Sequence, residues 1–406
     1  MSGKTIVVLA TLDTKGHEAH YMREQIEAMG HQALVVDTGV VGTPATKADV
    51  TREEVAEAGG TPLKQLLANP DREVAAPVMA DGASKIVVDL AAKDKVHAIV
   101  AMGGTQGTTL STKVMRALPY GFPKVMVSTM ASGNVAPWVD IKDLTMMFSV
   151  ADILGLNPLT RKILANAAAA ACGMADSEVV LEQGDKPLVA VTTVGITTLG
   201  AMKAMEVLEA AGYETIVFHA IGPGGRAMEQ MMEEGIIGAV LDYSTIEVSN
   251  EMYDALLAGG DKRLTTAGKL GLPQVLCPGA IEVLVFNEPE TVPEKYKGRT
   301  LIAHSPQITD LRLNAEEMAA VGKEIASRLQ HTTDKAYFVI PAAGYDSYAV
   351  EGMGFHDPES DAAFVEALKA GLPDNIEVIE RDTHIDDPVF ATEAAELLIS
   401  LIEQKQ

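Results

Sequence analysis

The chain carries one βαβ pattern twice, in a single register and without a gap. Residues 5–11 are a run of β-branched side chains and read as a strand buried on both faces. A polar turn, 12–16, follows. A helix then places Ala19, Met22, Ile26 and Met29 on one face and stops at Gly30, and residues 33–37 form a second strand. The succession recurs 182 residues on, so that Thr193 falls on Thr11, Gly212 on Gly30, His219 on Asp37 and Gly224 on Gly42. A register shared by strand, helix, glycine and strand predicts two related halves. The polar, turn-rich stretch 182–187 is the expected linker. The expected organisation is two α/β domains with mostly parallel sheets, residues 1–183 and 187–406.

Further elements follow from local chemistry. Thr51 and Glu54 form a capping-box pattern ahead of a short helix. Residues 63–68 and 82–93 fit helices, residues 98–102 and 124–128 fit strands, and 152–174 reads as one helix preceded or capped by Asn157 and Pro158.

Composition narrows the function classes. Lys and Arg number 32 against 56 Asp and Glu, a net charge of −24. That excludes a polyanion binder such as a nucleic-acid protein, and an anionic membrane surface. A small anion held locally at a helix N-terminus remains open. The two cysteines, Cys172 and Cys277, are too few for a disulfide framework. No apolar run reaches the length of a membrane span, and the N-terminal residues lack a signal-peptide core, so a cytoplasmic location is expected.

In open parallel sheets ligands bind beyond the carboxyl ends of the strands. Three post-strand turns of the first half stand out. Thr11, Asp13 and Lys15 offer a hydroxyl, a carboxylate and an ammonium at a helix N-terminus, a fair phosphate site with Asp13 able to hold Mg²⁺; a helix cap with solvated charges accounts for them equally. Gly103, Gly104, Thr105, Gly107 and Thr108 form a Gly-rich turn whose backbone N–H groups can approach an anion, although tight packing alone also calls for glycine. The turn is neither a Walker loop nor the dinucleotide fingerprint. Ser128, Ser132 and Asn134 supply small donors on the third turn. Asp152 reads first as a helix cap.

In the second half, His219, Arg226 and Glu229 lie on a Gly-rich turn, and His304, His356 and His384 lie at loop positions. These suit acid–base work or a His/carboxylate metal site, but loop His and Asp are also ordinary surface residues. Cys277 reads as a small buried hydrophobe.

Taken together, residues 11–16, 103–108, 128–134, 155–157, 218–229, 278–279 and 352–361, with His384, resemble the ATP-binding-domain family typified by the amino-terminal region of the tomato mosaic virus resistance protein, whose bacterial members are mostly of unknown function. The resemblance implies two Rossmann-like subdomains, bound ATP with Mg²⁺, and a homodimer. It carries nucleotide contact onto Thr11, Asp13, Lys15, Gly103, Gly104, Thr105, Gly107, Thr108, Ser128, Ser132 and Asn134. The expected function is an ATP-dependent kinase or ligase acting on a small acidic metabolite in a cleft between the halves, with His219, Arg226, Glu229, His356 and His384 as catalytic candidates. Two alternatives stand beside it: a hydrolase or C–C bond-cleaving enzyme on an oxo acid, and a nucleotide-dependent binding protein without chemistry.

Overall fold

A computed structural model describes residues 3–68, 72–179 and 184–405. The chain divides into two compact units, Met1–Leu181 and Glu182–Gln406. Each is a Rossmann-like α/β domain built on a parallel sheet.

The first unit comprises β1 (Thr5–Ala10), α1 (Leu12–Ala28), β2 (Gln32–Asp37), α2 (Arg52–Ala58), α3 (Leu63–Ala68), α4 (Arg72–Ala92), β3 (Ala98–Gly103), α5 (Thr105–Arg116), β4 (Lys124–Ser128), α6 (Ala136–Val139), β5 (Thr145–Phe148) and α7 (Pro158–Ala175). Its strands order β2-β1-β3-β4-β5, all parallel. Both faces are covered, as the unbroken apolar run of β1 requires. Ile6, Val8, Ala19, Met22, Ile26 and Leu164 pack on one side, and Val7, Leu9, Met79, Val114 and Met115 on the other.

The second unit comprises β6 (Val189–Thr193), α8 (Thr198–Ala210), β7 (Thr215–His219), α9 (Pro223–Glu233), β8 (Ala239–Ser244), α10 (Ile246–Met252), α11 (Thr266–Leu270), β9 (Gln274–Gly279), β10 (Val283–Phe286), β11 (Leu301–Ser305), β12 (Ile308–Arg312), α12 (Ala315–Leu329), β13 (Ala336–Pro341), α13 (Pro358–Gly371), β14 (Ile376–Arg381) and α14 (Pro388–Lys405). Its main sheet orders β14-β13-β9-β8-β6-β7. Both sheets therefore run second, first, third, fourth strand from one side.

Several expectations need correction. Met29 is 41% exposed and lies off the buried face of α1. The helix expected from residue 82 begins at Arg72 and runs through Pro77. The helix expected over 152–174 starts only at Pro158, and Asp152 is an exposed residue of the preceding coil rather than a cap. Asn157 stops the helix there: its side chain accepts from Leu159 N at 2.9 Å and Thr160 N at 3.0 Å, while Thr160 Oγ1 accepts from Asn157 N. Asn157→Ala should cost about 1 kcal/mol, measured as a shift in the urea midpoint at constant slope; an unchanged midpoint would contradict this role for the cap. The antiparallel sheet β10-β12-β11 was not anticipated, and His304 lies on β11 rather than in a loop.

Candidate functional site

The first turn of α1 is held by the end of β2. Asp37, at that strand end, is almost fully buried. Its Oδ1 accepts from Leu12 N at 3.0 Å and from Gly39 N at 2.8 Å. Burial raises its pKa above the usual carboxylate value, against the lowering effect of those two N–H groups. One carboxylate thus sets both the α1 entry and the loop after β2. Thr14 N and Lys15 N share the Thr11 carbonyl, and the helix kinks at Lys15 (φ −126°, ψ 18°). Gly42 N donates to Asp13 Oδ2 at 3.2 Å. Asp13 Oδ1 is buried and accepts no hydrogen bond among the described residues.

The Gly-rich turn sits beside it. A β-carbon on Gly103 would stand 2.8 Å from the Gly107 Cα, so glycine is needed for the backbone to fold over the start of α5. Gly104 is the N-cap and has no side chain to bond the first-turn N–H groups of that helix.

These two turns meet the loop 38–42 and one face of α4 around a cavity of about 590 Å³. Thr11, Asp13, Lys15, Gly103, Gly104, Thr105 and Gly107 line it, together with Thr38, Gly39, Val40, Val41, Gly42, Ala75, Ala76, Met79 and Leu110. The two turns bring backbone N–H groups and hydroxyls to the lining, while Val40, Val41, Ala75, Ala76, Met79 and Leu110 bring apolar surface. No sequence pattern marks the loop 38–42 or the first turns of α4 as lining. The only advance signal in the loop is its pair of glycines, and on α4 small apolar residues resemble ordinary core.

Four expected contacts do not line the cavity. Thr108 Oγ1 and Ser128 Oγ lie 2.7 Å apart, both fully buried, and bond α5 to β4. Ser132 and Asn134 are exposed, and Asn134 Oδ1 accepts from Ala136 N at the head of α6. Lys15 lines the cavity, but its Nζ donates to the Ile153 carbonyl.

Residues 4–179 match the N-terminal domain of an uncharacterised protein family, UPF0261, and residues 186–402 match its C-terminal domain. The chain belongs to this family. A UPF0261 protein of Clostridium tetani is 40% identical over 99% of this chain and all of its own length. One from Rhizobium meliloti is 39% identical over 96% of this chain and 97% of its own. The ToMV susceptible protein tm-1(GCR26) of Solanum lycopersicum is 29% identical over 95% of this chain, which spans 54% of that protein. Every residue lining the cavity falls in the UPF0261 N-terminal domain.

The UPF0261 C-terminal domain distributes its candidates differently. The N-terminus of α9 is already filled from inside, because Glu247 Oε1 accepts from Gly222 N at 2.6 Å and Gly225 N at 3.0 Å. That Gly-rich turn caps a buried carboxylate of its own domain. Glu229 faces inward and accepts from Leu264 N at 2.7 Å and Thr266 N at 3.2 Å. Arg226 is half-buried, and His219 and His356 are exposed. His356 Nδ1 lies 3.1 Å from the Ala349 carbonyl, and His384 is half-buried beside Asp386 and Asp387. Among the described residues, no three His, Cys, Asp or Glu side chains form a metal-ligating group. Cys277 is fully buried, and burial pushes its thiol well above the usual range, as an inert core residue requires. No described helix is long and apolar enough to cross a membrane.

Proposed function

We propose that the first unit binds ATP, with the phosphates over the 103–107 turn, and that the protein uses it as a kinase or ligase on a small acidic metabolite. The observation that carries the nucleotide reading is the convergence of two post-strand turns on one cavity lined by Asp13, a carboxylate with one unpartnered oxygen. First-turn N–H groups of a helix have no intrahelical acceptor, and they favour phosphate. The apolar lining, with Val40, Val41, Ala76 and Met79, suits the base. The cavity lies in the range of sites for drug-sized ligands.

The donors present fit Mg²⁺. They are oxygens throughout, and a single carboxylate completed by phosphate oxygens and waters is the usual holding of that ion. Bound there, the ion would neutralise phosphate charge. Asp13 would hold it, Gly42 N would keep the Asp13 carboxylate oriented, and Asp37 would keep α1 and the loop 38–42 in place. Lys15 would have to leave the Ile153 carbonyl to reach a phosphate.

Gly104→Ala tests the phosphate position. The new methyl would meet only Thr129 Oγ1, at 3.7 Å, so the fold accommodates it, while the side facing the cavity loses close backbone approach. ATP affinity should fall about tenfold or more, a loss of about 1.4 kcal/mol, with thermal stability little changed. Calorimetric titration checks this; an unaltered affinity would remove the nucleotide from that turn. Turnover is checked separately by ATP consumption across a panel of organic and sugar acids. Stabilisation by ATP with no turnover on any of them would leave a nucleotide-dependent binding protein.

A further inference from the structure

The second unit holds a cluster of buried polar atoms without partners. Glu282 follows β9 and Asp346 follows β13, neighbouring strands of the parallel sheet, so both stand at its carboxyl edge. Glu282 is 0% exposed and Asp346 1%. Among the described residues, neither Glu282 oxygen has a hydrogen-bond partner, and Asp346 Oδ2, Thr309 Oγ1 and Arg312 Nε have none either. Asp346 Oδ1, by contrast, accepts from Tyr348 N at 2.6 Å and Ala349 N at 2.9 Å. Backbone bonds bring these segments together, Ala280 N donating to the Tyr345 carbonyl at 3.0 Å and Leu313 N to the Glu282 carbonyl at 2.8 Å, and the charged groups around Glu282 are Asp346, Arg312 and Asp361. Arg312 Nη2 is already engaged by Asp361 Oδ1 at 2.5 Å and by the Asp357 carbonyl at 3.3 Å.

Three carboxylates around one guanidinium leave an excess of buried negative charge, which costs several kcal/mol per unpaired ion. A single shared proton removes most of it. Placed between a Glu282 oxygen and Asp346 Oδ2, it satisfies both.

We propose that Glu282 and Asp346 share one proton at neutral pH and form an acid–base centre of the second unit, connected to the surface through Tyr348, Asp310 and His304. The connection is a graded series. His304, exposed on β11, places Nδ1 3.1 Å from Tyr348 Oη and 3.6 Å from Asp310 Oδ2. Asp310 and Tyr348 face Asp346 in turn. The remaining charged neighbours, His356 and Asp357, act on Asp361 from the head of α13. Burial pushes Asp310 up to about 6 and Asp346 up to about 7, and it holds Glu282 well above the carboxylate range. The pair titrates as a unit rather than as two independent acids. It is independent of the nucleotide site.

Folded-state pKa values above the unfolded ones mean that the folded protein binds the extra proton. The stability this gives is complete below about pH 4.5 and is lost as pH rises through about 7. One such proton changes the folding equilibrium by up to about tenfold per pH unit. Glu282→Gln keeps the volume, and its amide can donate to Asp346 Oδ2 in place of the shared proton. The experiment is infrared spectroscopy of the full chain at pH 7 with carboxyl isotope labelling, joined to denaturant titrations from pH 5 to 8. The expected result is a protonated-carboxyl band in the native protein that is missing from Glu282→Gln, and a variant whose pH slope is reduced by about one proton's share. Absence of the band in the native protein at pH 7 would overturn the proposal. So would stabilisation by Mg²⁺, Ca²⁺ or Na⁺ that Glu282→Gln abolishes, since a cation would then balance the charge.

Discussion

Arg263→Met is expected to produce the largest loss of stability, about 3–5 kcal/mol, because it leaves three buried carboxylates without their cation. Arg263 is 0% exposed. Its guanidinium pairs with Asp242 through both terminal nitrogens, its Nε donates to Glu247 Oε2 at 2.6 Å, and Nη1 lies 3.6 Å from Glu229 Oε1. The three acids come from β8, α10 and α9, so one side chain ties those elements under the sheet's carboxyl edge. Thr192 Oγ1 on β6 also donates to Asp242, at 2.8 Å. Methionine fills the volume but not the charge. Burial already raises Glu229 and Glu247 while Arg263 opposes it. Without Arg263 their folded pKa values rise further above the unfolded ones. The variant's deficit should therefore be largest near neutrality and shrink as pH falls toward 5, where these acids take up protons. At about 2–4 °C per kcal/mol for a unit of this size, thermal scans should show a drop on the order of 10 °C. A deficit that stays constant from pH 5 to 8 would mean that the charge network is not its source.

Asp13→Asn is expected to produce the largest effect on ligand binding. The amide is isosteric and its oxygen can still accept from Gly42 N, so the turn is retained. What disappears is the negative charge of a carboxylate whose buried Oδ1 has no partner of its own. Affinity for Mg²⁺·ATP should fall on the order of a hundredfold, about 2.8 kcal/mol, while affinity for ATP in excess chelator should stay level or improve, because a like charge near the phosphates has gone. Paired titrations with and without Mg²⁺ read the difference. Equal losses under both conditions would point to damage of the turn rather than to a cation site, and no loss under either would remove Asp13 from the ligand.

Much of the first unit's cavity was legible beforehand because it is built from short-range chemistry. Thr11, Asp13, Lys15, Gly103, Gly104, Thr105 and Gly107 all lie at or just beyond strand ends, and parallel strands in one sheet bring their carboxyl ends together. Thr108 and Ser128 lie outside the cavity lining for a definite reason. Each is a small donor on a post-strand turn, and nothing local tells a hydroxyl aimed at a ligand from one spent on its neighbour twenty residues away. The second unit shows the same limit more sharply. The Gly-rich run after His219 looks like an anion turn, and it is one, but its anion is Glu247 from α10.

The unbroken apolar strands, the helix stops at Gly30 and Gly212 and the capping box at Thr51 depend on residues within one turn or one strand of each other. The family resemblance likewise needed only the chain. By itself, then, the sequence determined two Rossmann-like α/β domains, and it placed two of the turns that line the cavity. The tertiary structure alone decided which polar groups remain free. Arg263 takes its partners from three separate elements, Asp37 joins a helix entry to a loop, and Glu282 and Asp346, 64 residues apart in the chain, stand at the ends of neighbouring strands. The cost of burying a charge depends on what surrounds it in space, and periodicity carries no record of that.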